Sequence, residues 1–334
     1  MKRWTLLLLM WMSWSLVQAA SAKVPYTYVR LGKATDATAV AVQGGTVLMG
    51  GSTDVDSAFQ WMCGRSMGGD FLVIRATGTD AYNAYIQGLC ATGGVAANSV
   101  ATLIIPTTTA ANDARVSELI TKAEAIWIAG GDQSDYINLW KGTSVQTALN
   151  ARIAAGVPVG GTSAGLNVLT QFVYSAQASK GVTSSQALLD PYNRYMSFDR
   201  DFAAVPQLAG IIGDPHFAAR DRMGRDLAFL CRVYQAGWSL MPKAIAVDEE
   251  TALLIDGTGS ASVVGKGSVY FLRAPAGGPQ SCQPGSPLTY LNIGVYRIDM
   301  RGSFTLGNWS GTAGLGYSVS AVQGALTSTN GSIY

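Results

Sequence analysis

The fold of this chain is decided by residues 157–165, which read VPVGGTSAG. A short apolar stretch leads into two glycines and a G-x-S-x-G sequence, and an apolar run from Leu166 to Val173 follows. This order is typical of a nucleophile elbow, in which a strand turns sharply into a helix and exposes a serine. The glycines allow the tight turn and keep side chains away from that serine. Ser163 is therefore the candidate nucleophile.

A serine hydroxyl needs a neighbouring base, and His216 is the one histidine in the sequence. The base in turn needs an acid that orients it. Residues 248–250, which read DEE, follow an apolar strand, whereas four other acids precede or adjoin the histidine: Asp190, Asp199, Asp201 and Asp214. Because a strand end fixes a side chain better than a polar segment does, we favour an acid from 248–250.

Short apolar runs alternate with helix-like segments upstream of the elbow. The pattern predicts strands at 46–49, 71–74, 100–105 and 125–128, and helices at 54–62, 81–89, 114–122, 137–140 and 145–155. Such alternation is typical of an α/β fold, a parallel sheet with helices on both faces. Several strands end in paired glycines, and ligands bind at the carboxyl ends of strands in open sheets.

The second half of the chain is more β-rich. Residues 175–201 are polar and aromatic and predict an insertion near the site, and 222–234 predict a helix. Short strands are predicted at 244–247, 252–255, 262–264 and 269–272. The segment from 280 onward is rich in Gly, Ser and Thr, and is either a β extension or a loosely packed end.

The first 22 residues have the features of a secretory signal peptide. Lys2 and Arg3 precede an apolar stretch, 6–17, and small residues at 20–22 offer a cleavage site. That stretch is short for a membrane span of roughly 20 residues. We therefore expect a secreted or periplasmic protein. Without Lys2 and Arg3, 21 of the 23 basic residues remain, and they balance the 21 acidic residues. The mature chain would therefore have no net charge, which argues against a nucleic-acid binder.

Four cysteines in an exported chain suggest disulfides. Four cysteines can be connected in three alternative ways. We predict Cys63–Cys90 and Cys231–Cys282, because each bond joins cysteines that are close in sequence. No C-x-x-C occurs, and a single histidine argues against a Cys/His zinc site. No lysine follows the glycine-rich turn, so a phosphate-binding P-loop is not indicated. We expect no metal and no other cofactor.

Two backbone amides are candidates for an oxyanion hole. Ala164 begins the helix after Ser163, where free N–H groups and the helix dipole favour an anion. Gly131, in the glycine turn after the strand at 125–128, could supply the second amide. Three arginines follow His216 closely, and their planar guanidinium groups match carboxylates. These arginines are Arg220, Arg222 and Arg225. They suggest that the substrate is acidic, or else that they form the solvated face of a helix.

Four motifs together resemble the cyanophycinase-type serine peptidases, relatives of aspartyl dipeptidase. They are GGDQ at 130–133, GTSAG at 161–165, DPHFAARDRMGR at 214–225 and VDEETAL at 247–253. The similarity runs in order from about Thr46 to Leu272, and the spacing of one histidine and three arginines is its most specific part. The resemblance implies a flavodoxin-like, class I glutamine amidotransferase-like fold, with three αβα layers and a mostly parallel sheet. It also implies a peptidase domain over 23–275 and a C-terminal extension over 276–334.

The resemblance also implies roles for individual residues. Ser163, His216 and Glu249 would form a catalytic triad, and a further set would bind substrate: Gln133, Asp214, Arg220, Arg222 and Arg225. The implied reaction cleaves cyanophycin, a poly-aspartate backbone with arginine on each side chain, into β-Asp-Arg dipeptides. Members of the family often carry Gln before the histidine, where this chain has Pro215.

Two other functions stay open at this point. A related dipeptidase would act on short Asp-containing peptides, and a non-catalytic secreted protein would bind a carbohydrate or peptide in the same cleft. The intact serine, histidine and acid weigh against the second. The expected partners are an acidic peptide or polymer and, in a homodimer, a second copy of the chain. No membrane span is expected once the signal peptide is removed.

Overall fold

The computed structural model describes residues 24–38, 40–178 and 180–334. The predicted signal peptide, residues 1–22, lies outside the described residues. The helices are α1 Asp56–Arg65, α2 Tyr82–Thr92, α3 Thr108–Ala111, α4 Ala114–Thr121, α5 Gln133–Trp140, α6 Ser144–Ala154, α7 Ala164–Leu169, α8 Ser184–Leu189 and α9 Met223–Gln235. The strands are β1 Thr27–Gly32, β2 Gly45–Met49, β3 Asp70–Arg75, β4 Ser99–Ile104, β5 Ala125–Ile128, β6 Val159–Thr162, β7 Phe172–Tyr174, β8 Phe198–Arg200, β9 Ile211–Asp214, β10 Lys243–Val247, β11 Thr251–Asp256, β12 Ser260–Gly265, β13 Val269–Arg273, β14 Tyr290–Ile298, β15 Ser303–Thr305, β16 Ser310–Thr312, β17 Leu315–Val322 and β18 Ala325–Ser328.

The larger sheet, sheet A, has the order β1-β4-β3-β5-β6-β2-β11-β12-β15-β16 in the described part of the chain. Its central strands β4, β3, β5, β6 and β2 run parallel, and antiparallel strands extend both sides. Counted along the chain from β3, four of these strands have the order 2-1-3-4, the start of the flavodoxin-like order. The parallel α/β sheet and its class are therefore as predicted.

Helices cover both faces of sheet A. Successive residues of a strand point to opposite faces, and every residue of β5 is buried. In β3, Phe71 and Val73 join one apolar cluster with α1 and α2, whereas Leu72 and Ile74 join the other with α4–α6. Burial on both faces explains why these strands are continuous apolar runs in the sequence.

A second sheet, sheet B, has the order β18-β17-β14-β13-β10-β9-β7-β8. Its middle strands β7, β9 and β10 are parallel, and α8 and α9 pack on one face. The other face shares its apolar cluster with sheet A through residues such as Ile245 and Phe271. The β-rich closing section is thus larger than the sequence predicted, and the segment after 280 forms β strands that extend both sheets.

Two disulfides join buried cysteines, and the pairing is the predicted one. Cys63–Cys90 links α1 to α2, and Cys231–Cys282 links α9 to the segment before β14. Such bonds are typical of proteins that fold in an oxidising compartment. Within the described ranges, no helix combines the length and the apolar character needed to cross a membrane.

Candidate active site

Ser163 lies at the sharp turn between β6 and α7. Its φ of 52° and ψ of −114° are unusual for a residue with a side chain, and this strain holds the hydroxyl out of the turn. The flanking glycines are sterically required: a Cβ on Gly161 would lie 2.6 Å from the carbonyl carbon of Gly165, and a Cβ on Gly165 would overlap the carbonyl oxygen of Ile128. The motif therefore forms the predicted strand–turn–helix elbow.

His216 follows β9 and reaches the serine from the second sheet. Its Nε2 lies 2.8 Å from Ser163 Oγ, and its side chain is buried. The loop allows this approach because His216 adopts a left-handed φ of 51°. Gly51 packs against the imidazole so closely that a Cβ there would lie 2.6 Å from Nε2.

Glu249 completes a chain of hydrogen bonds. Its Oε1 lies 2.6 Å from His216 Nδ1 and 3.4 Å from Arg220 Nε. The two neighbouring acids are engaged elsewhere: Asp248 accepts hydrogen bonds from Ala218 N and Ser268 N, and Glu250 pairs with a surface lysine. The arrangement fits the imidazole tautomer with its proton on Nδ1, leaving Nε2 to accept the serine proton.

The protonation of this pair suits proton transfer at neutral pH. Burial lowers the pKa of His216 below its ordinary value, and nearby Arg220 and Arg222 act in the same direction, while Glu249 opposes them. The hydrogen bond with His216 lowers the pKa of Glu249. At neutral pH the imidazole is therefore neutral and the carboxylate is ionised.

Three consecutive backbone carbonyl groups at the end of β2 bind the segments that carry Ser163, His216 and Glu249. Met49 O accepts from Ser163 N at 3.0 Å, and Gly50 O accepts from His216 N at 2.8 Å. Gly51 O accepts from Glu250 N at 3.0 Å. The strand end thus fixes the backbone of the serine, the histidine and the acid relative to one another.

A cleft of about 300 Å³ opens beside Ser163 and His216. Four cationic side chains contribute to its wall, Lys180, Arg220, Arg222 and Arg225, and Asp132 is the acidic residue of the lining. Such a surface attracts carboxylates. In the described ranges, no group of three or more His, Cys, Asp or Glu side chains is placed to hold a metal ion.

Asp214 lies beneath the cleft and is almost fully buried. Its carboxylate accepts from Arg225 Nε at 2.7 Å and from Arg222 Nη1 at 3.1 Å. These guanidinium groups lower the pKa of Asp214 against the effect of burial. Burial lowers the pKa of Arg222 to about 10, so it stays charged at neutral pH.

Asp226, on α9, is a buried acid that the sequence did not single out. Neither of its carboxyl oxygens has a donor among the described residues. Burial and the neighbouring Asp214 raise the pKa of Asp226 well above its ordinary value. A protonated Asp226 gains an O–H that can donate to Asp214, which resolves its lack of a partner.

The remaining predicted residues line the cleft or border it. Gln133 is the first residue of α5 and donates through Nε2 to Tyr174 O at 3.2 Å. Gly131 belongs to the turn that precedes α5 and lines the cleft, and Ala164 is the first residue of α7. Both backbone amides therefore lie in segments that adjoin Ser163.

A protein-family model matches residues 76–263, which is more than half of the chain and includes the elbow, the histidine motif and the acid. Its description is peptidase family S51. The chain belongs to peptidase family S51.

Two curated proteins named cyanophycinase are similar to this S51 chain. That of Geminocystis herdmanii (strain PCC 6308) is 30% identical over 167 residues, covering 49% of this chain and 54% of the relative. That of Nostoc sp. (strain PCC 7120) is 27% identical over 157 residues, covering 46% and 47%. The chain thus spans about half the length of the curated relatives it matches. The crystal structure of a peptidase from an acI-B1 Actinobacterium aligns with a TM-score of 0.49 at 18% identity, covering 71% of this chain and 96% of that one.

The S51 cleft also contains residues that sequence reasoning missed. Asn167 and Tyr174 line the same cleft as the nucleophile, and so do Ala178 and Lys180, from the segment predicted as an insertion near the site. Asn167 is one turn after Ser163 on α7, so helical spacing could have found it. Lys180 carries no such signal, because it reaches the cleft through the path of the loop after β7 rather than through a regular spacing from Ser163.

Proposed function

We propose that this chain is a secreted serine exopeptidase of cyanophycinase type. The observation that carries the proposal is the chain of hydrogen bonds from Ser163 Oγ through His216 to Glu249, at the edge of a cationic cleft. Membership of family S51 supports it. The two disulfides suit an exported protein, and export itself rests on the signal-like residues 1–22.

In the proposed mechanism, His216 Nε2 takes the proton of Ser163 as Oγ attacks the carbonyl carbon of the scissile bond. The amides of Gly131 and Ala164 stabilise the oxyanion of the tetrahedral intermediate. His216 then gives its proton to the leaving nitrogen, and an acyl-enzyme on Ser163 remains. Water, deprotonated by the same imidazole, attacks the acyl carbon and releases the second product. Glu249 holds the imidazole in the required tautomer throughout.

The proposed substrate is cyanophycin, with β-Asp-Arg dipeptides as products. Lys180, Arg220 and Arg222 line the cleft and suit the carboxylates of such a polymer, while Asp132 suits one of its guanidinium groups. Two relatives named cyanophycinase support this choice. Asp214 is buried, so we propose that it acts on substrate through Arg222 and Arg225, which it holds in place.

A second candidate is a dipeptidase for short Asp-containing peptides. The cleft volume of about 300 Å³ favours it, because that is at the small end of ligand sites and accommodates a dipeptide-sized group. The two candidates differ in whether a long chain can extend out of the cleft. Comparing polymeric with dipeptide substrates distinguishes them.

The test is to incubate the purified protein with cyanophycin and to identify the soluble products by mass spectrometry. We expect β-Asp-Arg to be released by the wild type and not by Ser163→Ala, with both proteins equally folded by circular dichroism. If no product forms but a serine-directed phosphonate labels Ser163, the peptidase proposal stands with another substrate. If the protein releases no product and the phosphonate does not label Ser163, the peptidase proposal is refuted and a binding protein is favoured.

A further inference from the structure

Tyr334 lies against the motif that carries His216, far from it in sequence. Its hydroxyl accepts a hydrogen bond from Met223 N at 2.9 Å and donates one to Asp221 Oδ1 at 2.9 Å. Its ring packs edge-on against Phe217, with centroids 5.6 Å apart, and against Tyr270 at 6.1 Å. Phe217 is the residue directly after the histidine. One half-buried side chain therefore contacts both ends of the segment 217–223.

The segment that Tyr334 contacts needs such support. Asp221 adopts a left-handed φ of 48°, a conformation that is uncommon outside glycine although aspartate is among the residues that tolerate it. Helix α9 begins at Met223, and the preceding residue, Arg222, provides no side-chain cap. The first N–H groups of a helix have no partner within it. The hydroxyl of Tyr334 satisfies one of them and, at the same time, holds the carboxylate of Asp221.

The tail is itself anchored, so it can transmit this restraint. Tyr317, on β17, donates from its hydroxyl to Ile333 O at 2.9 Å. On the other side of the segment, Ser184 Oγ donates to Asp221 O and accepts from Arg225 N. The arginine segment is therefore held between α8 and the tail, with sheet B behind the tail.

We propose that Tyr334 is a positioning residue of the active site. Its hydroxyl fixes the start of α9, and thus Arg222 and Arg225, while its ring fixes Phe217 and the backbone of His216. The tail that follows β18 would then serve the site rather than merely close the fold. The inference rests on the proposed function, since it assigns Tyr334 to the binding of substrate and the placing of the base.

Two variants separate the hydroxyl from the ring. Tyr334→Phe keeps the ring, and we expect KM to rise about tenfold with kcat changed less than about twofold, because the arginine segment loses two hydrogen bonds. Tyr334→Leu also loses the aromatic contacts, and we expect kcat to fall by about tenfold or more. Tyr296→Phe is the matched control, since the Tyr296 hydroxyl accepts from Gly314 N within the same C-terminal strands.

A double-variant cycle tests whether the hydroxyl acts through Asp221. The KM effects of Tyr334→Phe and Asp221→Ala should be strongly non-additive if they break the same contact. A purely structural role predicts a lower Tm with kcat and KM unchanged at temperatures where the variants are folded. That result, or a KM effect equal to that of Tyr296→Phe, would overturn the inference.

The single histidine gives a readout that needs no substrate. In protein labelled with ¹⁵N at histidine and carrying no histidine tag, the imidazole signals report His216 alone. We expect Tyr334→Leu to shift these signals and their titration, and Tyr296→Phe to leave them unchanged. If the wild type hydrolyses no peptide, the proposed function fails, yet the spectra still decide whether Tyr334 places the imidazole. Unshifted signals in Tyr334→Leu would refute that placement.

Discussion

Replacing Glu249 by Gln tests whether the acid acts through the histidine. The substitution preserves the size of the side chain but removes the charge that lies 2.6 Å from His216 Nδ1. Where a fully buried aspartate in a serine protease is made neutral, kcat falls by about 10⁴. Glu249 is 28% exposed and lies 3.4 Å from Arg220 Nε, so water and that cation already weaken its field. We therefore expect a fall of about 10³ in kcat, or about 4 kcal/mol.

The pH profile supplies a second and independent prediction for the same variant. In the wild type, burial lowers the pKa of His216, and Glu249 is the group that opposes this effect. The imidazole must be neutral to accept the serine proton, so the acid limb of kcat/KM lies below the ordinary histidine value. In Glu249→Gln the pKa of His216 falls further, and the acid limb of the residual activity should move to lower pH.

The neighbouring residue provides the control for this experiment. Glu250→Gln removes the same charge one residue away, from a side chain that pairs with Lys266 on the surface. We expect its kcat and pH profile to match those of the wild type within about twofold, because an exposed pair contributes little. The assay is initial-rate hydrolysis from pH 4 to 9 on whichever substrate the wild type cleaves. Equal losses in the two variants, or an acid limb that moves upward in Glu249→Gln, would refute the reasoning.

Two further predictions concern residues around the site. Gly51→Ala would place a Cβ against the His216 ring, at a residue whose φ is +94°. Because this displaces the imidazole, we expect kcat to fall about 100-fold while the circular dichroism spectrum stays unchanged. Turnover close to that of the wild type would contradict this packing. Asp226 has a raised pKa in the folded state, so its stabilising contribution is present at low pH and is lost as pH rises through that value. Asp226→Asn should remove this loss of stability with rising pH in a series of Tm measurements, and an identical dependence of Tm on pH in both proteins would refute the raised pKa of Asp226.

The sequence predicted the part of the fold whose signals are local. Strands β2, β3, β4 and β5 are continuous, mostly apolar runs, because helices bury both of their faces, and each was placed within one residue of its observed bounds. The edge strand β1, whose residues are exposed or half-buried, was not predicted. The elbow was predictable for a similar reason: Gly161 and Gly165 are required by contacts within a few residues of Ser163 or on the adjacent strand. Both disulfides were also predicted, since each joins cysteines near in sequence.

Sheet B was largely missed because its signals are weak and its pairings distant. Strand β9 has four residues, and its neighbours β7 and β10 lie about 30 to 40 residues away on either side, so no local pattern identifies it. The strands after 280 contain Gly, Ser and Thr, whose alternation fits either a sheet or a loose end. The burial of Asp214 was not foreseen either, because an acid near a histidine suggests an exposed site, and its partners Arg222 and Arg225 lie just before α9 and on it.

The choice among the three acids at 248–250 shows what the fold adds to the sequence. Strand periodicity places all three at the end of β10 but does not say which one faces the histidine. In the structure Asp248 accepts backbone N–H groups and Glu250 turns outward at a φ of 53°, so that Glu249 alone of the three meets the imidazole. The resemblance to known peptidases pointed to Glu249, and the geometry supplies a physical reason for that choice.

The site is assembled at the junction of the two sheets, and β2 is the element that joins them. Ser163 comes from sheet A, whereas His216 and Glu249 follow strands of sheet B. The carbonyl groups of residues 49–51 bind one backbone N–H from each of the three segments. Glycine is required at 50 and 51, because a side chain would overlap Asp248 O in one case and the imidazole in the other. The distances from serine to histidine to glutamate therefore depend on one short stretch of backbone. This dependence explains why two glycines, Gly50 and Gly51, follow β2.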